Sequence, residues 1–120
     1  MGINSFAAAN WIGASIAKAT SSLGPIPLPA GVTTPISATD LWVTEANFFG
    51  YKAISQTAAP TNNAANVAIG PVVDGLAKLT DVVTPGGKVS YAPAMGTKFN
   101  LKDIAGSGSG TDAVFVTYLQ

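Results

Sequence analysis

The sequence predicts an all-β fold: a small antiparallel β-sandwich or jelly-roll-like barrel with an extended N-terminal arm carrying a short helix. Three observations lead there. From Thr33 onward, short runs of apolar, β-branched and aromatic residues alternate with Gly, Pro, Asn and Ser, the pattern of many short strands joined by turns. The last run, residues 113–119, is apolar on both of its alternating faces, as a central or partner-covered strand is. The 120 residues suffice for one domain, and a chain of that length buries a core without covalent staples. The expected division is an arm over residues 1–35 and a sandwich body over residues 36–120.

The arm begins with an Ala-rich stretch, residues 4–20. Ile3, Phe6, Ala7, Trp11 and Ile16 are spaced roughly as on one helical face, and Asn4 or Ser5 suits the cap. Gly13 costs such a helix about 1 kcal/mol relative to Ala. A helix this short is marginal alone and needs a surface to dock on. Next comes Gly24-Pro25-Ile26-Pro27-Leu28-Pro29. Its alternate prolines remove backbone donors and exclude both helix and central strand, which leaves an extended segment close to polyproline II. Residues 21–35 would then span roughly 50 Å at about 3.3 Å per residue, enough to lie across an adjacent subunit. An arm has little core of its own. Phe6, Trp11, Ile16, Ile26 and Leu28 are therefore candidate partner-interface residues, with Phe6 and Trp11 as the anchors.

The body reads as strands and turns. Residues 41–49 begin with alternation, Leu41 and Val43 on one face or Trp42 on the other, and Gly50 bends the chain. Residues 51–57 continue as a second strand, and residues 60–63 form a loop. Residues 66–70 make a short strand with Val67 and Ile69 on one face, closed by Gly70-Pro71. Thr84-Pro85-Gly86-Gly87 suits a type II turn, with Pro first and Gly second of the central pair, in a hairpin or corner flanked by residues 79–83 and 88–91. Residues 98–101 give another short strand. Residues 105–110, rich in Gly and Ser, predict a flexible loop. On the final strand Val114, Val116 and Tyr118 share one face.

Composition narrows the chemistry. The chain has no Cys, no His and no Arg, and its six basic residues are all Lys. No thiolate, imidazole or guanidinium is thus on hand for catalysis, metal binding or bidentate phosphate recognition. The six acids are mostly beside turns, with no spacing that marks a catalytic pair or an EF-hand; Asp74 or Asp112 could serve a loop-end calcium ion. Gly106-Ser107-Gly108-Ser109-Gly110 lacks the Lys-Ser/Thr of a phosphate loop and precedes a strand. Ser15-Ile16-Ala17-Lys18 has nucleophile–lysine spacing, but it lies in the arm. The reading is therefore a non-enzyme with no catalytic, cofactor or metal residues. Scattered lysines and zero net charge argue against nucleic acid, and no apolar run reaches membrane-spanning length. With 48% hydrophobic residues, 10% charged residues and mean hydropathy +0.36, the surface is expected to be covered by partners.

One resemblance adds to this reading. Asn66 to Gly70, Leu79, Val83-Thr84-Pro85-Gly86-Gly87-Lys88-Val89-Ser90-Tyr91, Leu101 to Ile104, and Gly110-Thr111-Asp112-Ala113-Val114-Phe115-Val116-Thr117-Tyr118-Leu119 follow one another in order. That order resembles small structural proteins of tailed-bacteriophage virions, in which a strand ending in Ile-Gly precedes a Pro-Gly turn and a final Val-x-Val-x-Tyr strand. The likeness runs from about residue 42 to 119. It implies a capsid decoration or cement subunit located in the virion, partnered with copies of itself and with major capsid or tail proteins. A tail or fibre subunit and a carbohydrate-binding or adhesive sandwich are the alternatives; the latter would expose Trp42 or Tyr51 on a flat face.

Overall fold

The structure, a computed structural model, describes residues 20–120. In chain order its strands are β1 (Ser21–Pro27), β2 (Thr34–Pro35), β3 (Trp42–Val43), β4 (Glu45–Phe49), β5 (Tyr51–Ala53) and β6 (Thr61–Asn62). They continue with β7 (Val67–Val73), β8 (Leu76–Ala77), β9 (Asp81–Val83), β10 (Lys88–Tyr91), β11 (Phe99–Asn100), β12 (Ile104–Ser107) and β13 (Ala113–Leu119). One sheet has the order β10-β4-β13-β1. In the other, β7 pairs with β12 on one side and β12 with β2; the second side of β7 is shared between β8 and β9. Two short ladders, β3 with β11 and β5 with β6, complete the set, and every pairing is antiparallel.

Alternation along the strands supplies the core. Ala46, Phe48, Val114 and Val116 come from the first sheet; Val67, Ile69, Val83 and Ile104 come from the second. Leu28, Ile36, Val43 and Leu101 join the same cluster from the connections and short elements. The all-β, antiparallel expectation therefore holds. β13 is a central strand of its sheet, paired on both edges, with Val114 and Val116 in the core and Phe115 half-buried on the other face.

The expected boundary at residue 36 is corrected. Residues 21–27 form an edge strand of the body itself, paired with β13 from Ser21 opposite Tyr118 to Pro27 opposite Ala113. Prolines without N–H groups are tolerated because β1 is an edge. Gly24 and Pro25 stand together opposite Phe115, which makes a bulge, and Gly24 holds φ +96°. A Cβ there would lie 2.9 Å from the Val114 carbonyl oxygen, so only glycine fits. Leu28 then turns inward and is wholly buried. Its N–H donates to the Asp112 carbonyl at 3.1 Å, and its carbonyl accepts from Gly110 N–H at 3.2 Å.

Three further differences, and the choice of a corner over a hairpin at residues 84–87, have local causes. Thr44, whose N–H donates to the Leu119 carbonyl at 2.7 Å, interrupts the strand predicted over residues 41–49. The buried positions are Val43 before it and Ala46 and Phe48 after it. β7 does not stop at Gly70-Pro71. It runs on into a hairpin with β8, turning at Asp74 (φ 52°) and Gly75 (φ 77°). Thr84–Gly87 is a corner between the two sheets, because β9 and β10 belong to different ones. Its type II geometry holds: Gly86 has φ 72°, and Gly87 N–H donates to the Thr84 carbonyl at 2.8 Å. Finally, Gly106 and Gly108 belong to a packed segment under Leu28; a Cβ on Gly108 would stand 3.0 Å from that side chain. They are small there to admit Leu28.

Leu28 is thus a core residue, and truncating it should act like any deep cavity. Leu28→Ala is expected to cost about 3 kcal/mol in urea unfolding, whereas Leu76→Ala, on an exposed hairpin side chain, should change stability by no more than about 0.5 kcal/mol. Equal small effects would contradict the placement of β1 in the body.

Candidate functional site

The two ends of the sandwich differ. At one end an open groove of about 530 Å³ lies between the sheets. Pro71 and Ile104, opposite one another on β7 and β12, form one wall. Tyr91, at the end of β10, Pro93 and Phe99 form the other. The rings interlock: Tyr91 packs edge-on to Phe48 at 5.1 Å and to Phe99 at 6.2 Å. The surface is mostly apolar, with the hydroxyls of Ser90 and Thr97 and one ionisable pair among its lining. Tyr91 Oη donates to Asp81 Oδ2 at 2.6 Å, bridging the two sheets. Burial, then the hydrogen bond to Asp81 and the charge it carries, hold the Tyr91 phenol well above the usual tyrosine range. The pair therefore presents a carboxylate with a bound phenol O–H, an acceptor-rich spot in an aromatic groove. Such a surface suits an apolar ligand with one donor or one positive charge.

The other end is closed by two polar groups: Asn63, which the sequence alone did not single out, and Asp112, which it offered only as a loop-end calcium ligand. Asn63 and Asp112 are both buried. The Asn63 carboxamide takes the place of a backbone unit beside β13: its Nδ2 donates to the Ala113 carbonyl at 2.7 Å, and its Oδ1 accepts from Ala113 N–H at 3.0 Å. Asp112 Oδ1 and Oδ2 accept from the N–H groups of Ala64 (2.8 Å) and Ala65 (2.9 Å). The Ala64 N–H is the chief influence holding this carboxyl below its usual range. Burial opposes it, and the Ala65 N–H, the Lys52 charge and the Ser109 hydroxyl add to the lowering. Asp112 is 1% exposed.

The loop-end calcium alternative does not fit this geometry. Asp112 is turned toward backbone donors, so its oxygens close a loop and are not free for a calcium ion. Asp74 stands at the tip of the β7–β8 hairpin, and among the described residues no group of three carboxylates gathers to hold a metal. Of the predicted interface residues, Phe6, Trp11 and Ile16 lie outside the described residues. Ile26 and Leu28 are corrected: Ile26 packs against the core and Leu28 is inside it. A partner cannot reach Leu28 without opening the sandwich. The aromatic groove has a faint signal in sequence, since alternation over residues 88–91 puts Val89 and Tyr91 on one face. Its second wall depends on long-range pairing that no local pattern reports. Val73-Asp74-Gly75-Leu76, by contrast, carries an Asp-Gly hairpin signal that the sequence does print.

Comparison with family models, curated proteins and solved structures finds no match. The likeness to bacteriophage virion proteins therefore rests on the residue pattern alone. Among the described residues, no helix is long and apolar enough to cross a membrane.

Asp112 makes stability depend on acid in a definite direction. Its folded pKa lies below the unfolded value of about 3.9, so its contribution is complete above that value and is lost as pH falls through the folded pKa. Asp112→Asn turns an N–H donor toward a backbone donor and should cost about 1–3 kcal/mol at pH 7. Urea midpoints at pH 7 and at acid pH should show the penalty shrinking in acid. A penalty independent of pH would remove the ionised carboxylate from the account.

Proposed function

We propose that this chain is a non-enzymatic structural subunit that assembles with other protein copies, of the capsid decoration or cement kind, and that residues 1–19 contact a neighbouring subunit. The observation that carries the reading is the character of the surface. Trp42, Val73, Leu76, Val82 and Met95 are all exposed. Among the described residues the only ion pair is a loose one, Lys102 Nζ to Asp40 at 3.9 Å, between exposed side chains. A surface this poor in charge and rich in apolar groups gains by being covered. Phe6, Trp11, Ile12 and Ile16 add further apolar side chains within residues 1–19. Interfaces of standard size bury about 1,200–2,000 Å², and a lattice multiplies modest contacts by avidity.

Sedimentation of the full chain beside a chain lacking residues 1–19 tests this. That truncation leaves β1 and Leu28 in place, so the body stays folded. The full chain should self-associate with rising concentration and the shortened one should not. Monomers at every concentration in both would contradict self-assembly. The virion part of the proposal is tested by detecting the chain in purified particles at a fixed ratio to the shell protein.

A carbohydrate-binding reading has one observation in its favour: Trp42 is 52% exposed. Tyr51, the other ring it would use, is stacked on Phe49 at 5.5 Å and 8°. Glycan-array binding that disappears in Trp42→Ala would replace the assembly reading; no signal is expected.

A further inference from the structure

We infer that the aromatic groove is the receptor for residues 1–19 of a second copy of this chain. The inference rests on the assembly reading and supplies its docking site.

Strand register fixes where the chain enters the body. Ser21 is opposite Tyr118, Tyr118 is opposite Ala46, and Ala46 is opposite Tyr91. These four residues form one row across the sheet, so Ser21 is three strand spacings, about 14 Å, from the groove wall. β1 therefore starts at the groove end of the sandwich and runs away from it, so residues 1–19 are joined to the body at that end. Two copies meeting end to end about a two-fold axis would set each groove against the other's entering segment, an isologous contact that closes on itself.

The chemistry of groove and segment is complementary. The groove presents Pro71, Tyr91, Pro93, Phe99 and Ile104 around the Asp81 carboxylate, with no cation in its lining. Asp81 Oδ2 accepts from Tyr91, and among the described residues no donor is directed at its other oxygen. Residues 1–19 contain Lys18, no acid, and the bulky Phe6 and Trp11. A groove of about 530 Å³ falls within the range that holds aromatic ligands. A tryptophan brings both the apolar ring and an N–H donor for the carboxylate. Alternation along β7 puts Val73 on the same face as Pro71, and Leu76 is paired opposite Val73. Both are exposed and prolong the apolar track outward from the groove, which suits a segment rather than a compact small molecule.

The chain has no cysteine, which allows a direct test. Asn10→Cys in the segment and Thr97→Cys on the exposed groove rim are made as separate full-length variants, mixed in equal amounts and mildly oxidised. The expected product is the mixed disulfide dimer, in excess over either homodimer. No excess of mixed dimer would overturn the inference. So would the double variant closing within one monomer at high dilution, because the segment would then occupy its own groove. In parallel, Thr97→Arg adds bulk and positive charge at the rim. It should weaken self-association by about tenfold or more, equivalent to about 1.4 kcal/mol, with the melting temperature unchanged. Self-association abolished by removing residues 1–19 but untouched by Thr97→Arg would sink the groove and leave the assembly reading standing. Self-association unaffected by the truncation would remove both.

Discussion

The structure depends most on a buried carboxylate that meets backbone N–H groups at the start of its last strand. Asp112 gathers three stretches of chain that are far apart in sequence. Its oxygens take the N–H groups of Ala64 and Ala65, and its own carbonyl takes the N–H of Leu28. One residue later, Ala113 exchanges both of its backbone bonds with the Asn63 side chain. These bonds solve a geometric problem. At Gly50 the chain leaves β4 for β5, and residues 61–63 must be held beside β13. The Asn63 amide supplies the missing partner, so no buried backbone group at Ala113 is left unpaired. The same node positions Leu28, which caps the core over Gly106 and Gly108.

Close backbone approaches at this end show how little slack it has. A Cβ on Gly50 would stand 2.2 Å from the Thr84 carbonyl oxygen. The Gly50 carbonyl accepts from both Asn63 N–H and Gly86 N–H, at 2.9 and 3.1 Å. The Thr84–Gly87 corner, the bend after β4 and the Asn63 loop are therefore one interlocked unit. The opposite end has no such closure. There, among the described residues, the sheets are joined by the Tyr91–Asp81 bond alone among side-chain hydrogen bonds, and a groove stays open beside it. A sandwich sealed by polar groups at one end and apolar and open at the other has a natural polarity for end-on contact.

Much of the fold was legible in sequence because the signals were local. The alternation in residues 113–119, the Pro-Gly turn at residues 84–87 and the bend at Gly50 each follow from a few neighbouring residues. Placing residues 21–35 in an arm failed for an identifiable reason. Prolines at 25 and 27 exclude a central strand, but they permit an edge strand, and Leu28 is apolar because it belongs to its own core. The Gly-Ser run at residues 106–110 was read as flexible for its composition, whereas two of its glycines are small to admit Leu28. Asn63 and Asp112 give no local sign of this role, since each looks like an ordinary loop residue until strand pairing brings residues 63 and 112 together. The groove was hidden in the same way: Tyr91 and Pro71 meet only after the two sheets stack.

The central claim is that Asp112 and Asn63 lock the residue 61–65 loop and the Leu28 segment onto β13 as one cooperative unit. Amide hydrogen exchange at neutral pH measures this directly. Ala64, Ala65, Ala113 and Leu28 should exchange as slowly as the β13 amides of Val114 and Val116, opening only with the body. Exchange of Ala64 and Ala65 at the rates of an exposed loop, with β13 still protected, would contradict the account.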